Sequence, residues 1–382
     1  MLDRRRLLQG STSLAVLGLA GCAVAVPKAP PPAIVLAAIR AEIDRLFDIT
    51  VCLRPFRAQG PRLDTEEVGR KLVVHNYGHG GSGWSLSWGS AHVVVGKAMA
   101  SSPKEIAVIG CGALGLTAAI TAQQAGASVT IYARDLLPET RSARATGSWT
   151  PDSRIALADK IAPDFPALWE QMARTSFHTY RRYLGLPGTP VEWSDRYYLS
   201  GGEHANHHPP SPLDFASFGE RILDITPHSE ELPAGATNFP ATSSVRRASL
   251  MQFNIADLGH TLMSDFLAAG GKFVRAEFHS LSDVARLKES VVINCTGYAA
   301  RALCQDDSVV PVRGQIGWLI PQPEVNYGLY YDGVSVLSRR DGIVVQMLEG
   351  GDMRGYDDDH EVVDRAESED AVKRIAALYA QA

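Results

Sequence analysis

The run Gly110-Cys111-Gly112-Ala113-Leu114-Gly115 carries a chemistry that residue type and spacing specify together. Glycines at the first, third and sixth positions of a strand-to-helix turn form a phosphate cradle. Gly110 permits a tight turn, Gly112 lets a pyrophosphate approach the backbone, and Gly115 lets the helix close on the strand. The amides of Ala113 and Leu114 open the helix, where the positive end of the macrodipole favours anions. The flanking pattern supplies the elements that position this turn. Residues 106–109 are an apolar, β-rich run, 113–125 a helix ended by Gly126, and 128–132 a second strand. Together they make one βαβ unit of about thirty residues. A bound dinucleotide is the expectation, against the alternative of a purely structural glycine turn.

A second cluster lies upstream. Gly78, Gly80, Gly81 and Gly83 fall within six residues, so backbone there must come close to something. His75, Tyr77, His79, Trp84 and Trp88 around them are poor residues for a flexible linker. A strand from Leu72, this loop and a helix reaching Met99 are expected. A short amphipathic helix is expected over 33–47, and further helices over 163–184, 254–269 and 368–380. Strands are expected over 272–278 and 288–294.

Composition narrows the classes. The chain has 382 residues, 45% hydrophobic and 21% charged, with a net charge of −5. That balance argues against a nucleic-acid binder, which would show a basic stripe. Cys22, Cys52, Cys111, Cys295 and Cys304 are scattered, without disulfide or metal spacing. His204, His207 and His208 share a loop but have no ordered ligand spacing, so no metal is expected. Asp357-Asp358-Asp359 is most simply a charged surface turn. The start of the chain, Arg4-Arg5-Arg6-Leu7-Leu8 and an apolar run over 14–26, reads as a secretory signal too short to span a bilayer. Its paired arginines resemble a twin-arginine signal, which implies export, already folded, to the periplasm. Leu19-Ala20-Gly21-Cys22 resembles a lipoprotein cleavage site that would lipidate Cys22 and attach the protein to a membrane. Ordinary cleavage after Ala25 is the competing reading.

HNYGHGGSGWSLSWG over 75–89 and LRPFRAQGPRLD over 53–64 resemble the carboxyl-terminal part of the D-amino-acid oxidase family of flavoproteins. In that family these segments end the polypeptide; here they precede the dinucleotide unit, so the order looks circularly permuted. Arg144-Ala145-Thr146-Gly147-Ser148-Trp149-Thr150-Pro151 is similar to the family's loop along the flavin. Residues 291–297 (VVINCTG) and Arg313-Gly314-Gln315 resemble two further family segments.

The resemblance implies an α/β chain, α+β overall. A Rossmann-like, FAD-binding parallel sheet would be interleaved with a largely antiparallel substrate domain. Its expected divisions are 1–32, signal and Pro-rich spacer; 33–160, FAD-binding domain; 161–250, substrate domain; 251–310, return to the FAD-binding domain; and 311–382, substrate domain again. Within 33–160, the segment 49–100 is the permuted one and 104–135 is the βαβ unit.

For the site, the resemblance implies Arg54 as the clamp on a substrate carboxylate, Gly81 as the carbonyl that takes the amine, and Tyr330 as a hydrogen-bond partner of the carboxylate. Arg54 has the alternative of an ion pair with Asp64 or Glu66, and Tyr330 that of a core or rim residue. Cofactor contacts are expected from Gly110, Gly112, Ala113, Leu114, Gly115, Thr146, Gly147, Ser148, Thr296 and Gly297, and from Gly80, Ser82 and Gly83. Two positions depart from the family pattern. Val334 stands where a second tyrosine is usual. Asp135 comes one residue later than the ribose-binding acid, so Arg134 has the alternative of stacking on adenine or meeting a phosphate.

The implied activity is FAD-dependent oxidative deamination of D-amino acids, with O2 as acceptor and a homodimer as one expected assembly. Three alternatives stay open: a membrane-tethered dehydrogenase that reduces a quinone, a flavin-binding but degenerate protein, and a weaker NAD-dependent dehydrogenase, which would leave HNYGHGG unexplained.

Overall fold

A computed structural model describes residues 34–204, 211–239 and 244–380. The signal, the spacer, Cys22, His207 and His208 lie outside the described residues. The chain enters the fold as strand β1 (Leu46–Arg57), followed by β2 (Thr65–Val68) and β3 (Lys71–His75). Helix α1 (Gly83–Ala98), β4 (Glu105–Ile109), α2 (Ala113–Gln124) and β5 (Ser128–Ala133) follow. Then come α3 (Phe165–Tyr180), β6 (Val191–Leu199), β7 (Glu230–Leu232), β8 (Val245–Phe253) and α4 (Ile255–Ala268). Next are β9 (Lys272–Arg275), the one-turn α5 (Leu281–Val284), β10 (Val291–Asn294) and the one-turn α6 (Ala300–Leu303). The chain closes with β11 (Val309–Leu319), β12 (Tyr327–Tyr331), β13 (Val334–Arg339), β14 (Gly342–Met347) and α7 (Arg365–Ala380).

Two sheets share these strands. The first has order β2-β3-β10-β4-β5-β9, parallel except for edge strand β2. Its middle strands are buried on both faces, as the apolar runs IAVI and VVIN require. Helices α1 and α2 pack together over one face, tied by the Thr117 hydroxyl, which donates to the Ser87 carbonyl at 3.1 Å. The second sheet has order β1-β11-β14-β13-β12-β6-β8-β7 and is antiparallel except between β12 and β6.

The expected helices over 163–184, 254–269 and 368–380 are present as α3, α4 and α7, and the strand over 272–278 is shorter, as β9. The helix expected over 33–47 is not formed. That stretch runs extended and ends in a single 3-10 turn before β1. Its backbone is taken by distant partners: Ile34 and Leu36 bond to Ala236 and Asn238, and Arg40 N donates to Gln322. Ile39 and Ala41 are buried in the core beneath the second sheet. Tertiary bonding thus overrides a helical period.

The domain divisions also differ from expectation. β1 lies within 33–160 yet pairs along its length with β11 of the second sheet. α3, assigned to the substrate domain, packs on α1 in the core of the cofactor unit. The cause lies in their faces: Trp169, Met172 and Phe177 are apolar and buried, and the backbone of Met172 reaches Gly89 of α1.

A Cβ on Gly89 would stand 2.1 Å from the Met172 carbonyl oxygen. Gly89→Ala is therefore expected to destabilise the fold by roughly 1–3 kcal/mol through overpacking. Chemical denaturation followed by circular dichroism would measure this loss.

Candidate active site

Parallel strands present their carboxyl ends on one edge, and ligands of open α/β sheets bind there. All five parallel strands contribute to a cleft of about 580 Å³ on this edge. His79 and Gly80 follow β3, Gly110 to Leu114 follow β4, Arg134 and Asp135 follow β5, Glu277 follows β9, and Thr296 and Gly297 follow β10.

Gly110 has φ +100°, and a Cβ there would meet the Cys295 carbonyl oxygen at 2.4 Å. A Cβ on Gly115 would lie 2.0 Å from the Gly110 carbonyl oxygen, so this glycine serves close packing and does not line the cleft. Ser142 closes over the turn: its hydroxyl accepts from Ala113 N at 3.1 Å and would meet a Cβ on Gly112 at 2.6 Å. Arg134 pairs with Asp135 at 2.9 Å and with Glu277 at 3.3 Å, so the displaced acid and a second acid share one rim.

A second chamber of about 310 Å³ adjoins this cleft, and Arg54, Gly81 and Thr146 line both. One wall is a face of the second sheet, produced by register. Tyr330, Ser335 and Gln346 are cross-strand neighbours on β12, β13 and β14, and Arg196 stands beside β12 on β6. The opposite wall comes from the loop over 146–154.

Arg54 does not pair with Asp64 or Glu66. Arg62 takes both, at 2.9 and 3.2 Å. The Arg54 guanidinium instead lies over Gly314, where a Cβ would be 2.3 Å from Nη2, and it donates to the Arg313 carbonyl at 3.2 Å. The glycine of the Arg313-Gly314-Gln315 turn thus makes room for this cation. Tyr330 is partly buried and faces the chamber; its phenol is shifted up by burial and by Asp332. Val334, at the usual second-tyrosine position, is fully buried in the core.

Besides Gly115, three expected cofactor residues do not line the cleft. Ser148 lines the chamber and not the cleft, and it accepts from the Arg196 guanidinium. Ser82 is buried and bonds the Ser153 carbonyl at 3.1 Å, anchoring the loop. Gly147 (φ +91°) packs against the Phe253 carbonyl, where a Cβ would stand at 2.4 Å, and so carries its loop along β8. Gly80, Gly81 and Gly83 do line the cleft. A Cβ on Gly80 would be 1.9 Å from the Arg154 carbonyl oxygen, and one on Gly81 2.5 Å from Ser153 Oγ.

Sequence reasoning passed over Arg154, Arg196 and Gln346, because isolated polar residues in separate segments carry no local signal. Arg154 is buried with φ +47°, held by bonds from its guanidinium to the Asp352 and Gly351 carbonyls at 2.8 and 3.0 Å. Burial and neighbouring Arg54 push its pKa down to about 10.

Whether the cleft suits a dinucleotide is decided by its own atoms. It offers a helix N-terminus whose Ala113 amide is held by the Ser142 hydroxyl, glycine backbone at 110 and 112, and one buried orphan. His79 Nε2 bonds Ser90 Oγ at 2.9 Å, while Nδ1 has no partner although the ring lines the cleft. Donors for phosphates and a buried polar atom awaiting a ligand fit such a group. Cys111 and Cys295 border the same cleft, buried, with both thiols pushed up to about 12 by burial.

The family model described as "DAO: FAD dependent oxidoreductase" matches residues 105–382. A D-amino-acid oxidase of Streptomyces coelicolor is 30% identical over 221 residues, covering 56% of this chain and 58% of that one. A D-aspartate oxidase of Talaromyces thermophilus is 43% identical over 251 residues, covering 56% and 60%. The chain therefore spans less than two thirds of the length of either relative. Among solved structures, an iminodiacetate oxidase from Chelativorans superposes with a TM-score of 0.49 at 18% identity, over 72% of this chain and 79% of that one.

Burial pushes His79 down from its ordinary 6.5 to about 3. The folded value is depressed, so the unfolded chain takes a proton that the folded chain refuses between these limits. Stability is full above pH 6.5 and falls as pH drops toward 3, with His75, also lowered by burial, adding in the same direction. The thermal midpoint should decline on acidification through this window, and His79→Gln should flatten part of that decline.

Proposed function

The chain belongs to the DAO family of FAD dependent oxidoreductases, and on that premise we propose that it oxidises D-amino acids to imino acids, with release of 2-oxo acid and ammonia. The observation that carries this reading is Arg54, a cation without a carboxylate partner among the described residues, at the junction of the cleft and the chamber. When bound in the cleft, FAD supplies the acceptor for the hydride that leaves the substrate Cα. Everything else at the site is positioning. The planar guanidinium of Arg54 suits a bidentate grip on the α-carboxylate. Tyr330 donates its hydroxyl proton to the same group. The Gly81 carbonyl accepts from the amine, and its missing Cβ leaves the loop close to Ser153. Leu337, Val344 and Leu348 line the chamber and keep water from the reacting carbon.

Both relatives named above are oxidases of D-amino acids, which supports the D configuration and oxygen as acceptor. Two further parts of the reading rest on sequence. The family match begins at residue 105, after β3, the glycine loop and α1, which supports a circularly permuted order. The residues at 4–25 support export to the periplasm, with membrane attachment if Cys22 is lipidated.

Purified holoenzyme mixed anaerobically with a panel of D-amino acids should lose its yellow colour. Arg54→Ala should lower kcat/KM by about 10- to 100-fold, the value of a charged hydrogen bond. A panel that leaves the flavin oxidised would reject the reading. Peroxide yield compared with dye reduction assigns the acceptor, with abundant peroxide expected. Gly314→Ala, which pushes a methyl group into the Arg54 guanidinium, should raise KM about 10- to 100-fold at unchanged flavin content.

A further inference from the structure

Arg196 is placed for a ligand that the reading so far does not use. It projects from β6 on the chamber face, and Gly328 opposite makes room for its stem, since a Cβ there would be 2.9 Å from Arg196 Cγ. One of its terminal nitrogens donates to Ser148 Oγ. Its Nε is buried and has no hydrogen-bond partner. Among the described residues no carboxylate pairs with it; the Tyr198 side chain is its hydrogen-bonding and electrostatic neighbour, and burial shifts its pKa down.

The chain treats a buried arginine outside the chamber, Arg339, differently. Arg339 is matched by Asp341 at 2.5 Å and donates to the Ala145 carbonyl at 2.8 Å. Arginines are seldom left buried without such a partner. The chamber therefore holds three guanidiniums, Arg54, Arg154 and Arg196, against one carboxylate, Asp352, which lies 3.6 Å from Arg154. One α-carboxylate leaves this excess uncompensated.

We propose, on the reading that the chamber holds a D-amino acid, that its substrate is an amino dicarboxylate whose side-chain carboxylate is received by Arg196. Position decides which cation takes which end. Arg54 and Gly81 line both cavities and so meet the reacting end, whereas Arg196 lines the chamber alone and meets the far end. The far carboxylate satisfies the orphan Nε and offsets the excess positive charge. A neutral amide of the same shape can accept from Nε through its oxygen but leaves the excess positive charge in place, and its NH2 group faces a guanidinium that has only donors to offer, so the site discriminates against it.

The test compares kcat/KM of the holoenzyme for D-aspartate and D-glutamate with D-asparagine and D-glutamine, which differ only in the terminal group. The acids should be preferred by about 100-fold or more. Arg196→Gln should erase that ratio by losing the acids while keeping the amides, and Arg196→Lys should restore part of it. Equal use of acids and amides by the wild type, or a ratio unchanged in Arg196→Gln, overturns the proposal. Calorimetric titration of the holoenzyme with succinate and with butanoate reads the same contact without turnover. Succinate binding that exceeds butanoate binding and is lost in Arg196→Gln supports the dicarboxylate site even if no D-amino acid is oxidised, a result that would count against the oxidase reading alone. Equal binding of the two overturns the dicarboxylate site itself.

Discussion

The contact between Gly115 and the Gly110 carbonyl sets the geometry on which the rest of the molecule depends. With 2.0 Å available at the Cβ position, helix α2 sits against the end of β4 as closely as backbone allows. Gly110 closes the same corner from the other side, against the carbonyl of Cys295 at the end of β10. Three segments distant in sequence thereby converge without side chains between them. The cleft is what remains above that convergence, lined by the turn from Gly110 to Leu114, whose Gly110 amide is bonded to the Tyr132 carbonyl and whose Ala113 amide is bonded to the Ser142 hydroxyl.

A second set of glycines joins this floor to the substrate chamber. Gly80 and Gly81 rest on Ser153 and Arg154, and Gly314 lies beneath the guanidinium of Arg54. Each removes a methyl group where two segments lining the chamber come close: the glycine loop against the turn at 153–154, and β11 against β1. The chain crosses between the sheets repeatedly, with β1 (to Arg57) in one and β2 (from Thr65) next in the other. The two cavities consequently share Arg54, Gly81 and Thr146.

Much of this was legible in residue order. The βαβ unit, the loop at 76–83 and the helix after it declared themselves through glycine spacing and apolar period, because local geometry there is set by local residues. Arg54 was reached through its neighbours in LRPF, but its freedom from Asp64 and Glu66 depended on Arg62 capturing both. The stretch before β1 departs from its helical period for the same kind of reason: its hydrogen-bond partners, Asn238 and Gln322, lie some two hundred residues away or more. Arg196 had no sequence signal at all. Its role emerges from strand register, which sets it beside Gly328 on the face shared with Tyr330.

Cys111 and Cys295, which border the cofactor cleft, have a bearing on durability. The oxidant hydrogen peroxide attacks thiolates, and thiols with a value near 12 are almost wholly protonated at neutral pH. An oxidase that releases peroxide into a cleft bordered by reactive thiolates exposes them to oxidation. Here burial keeps both sulfurs in their unreactive form, so the tight packing that builds the phosphate cradle also guards it against the product of the proposed reaction.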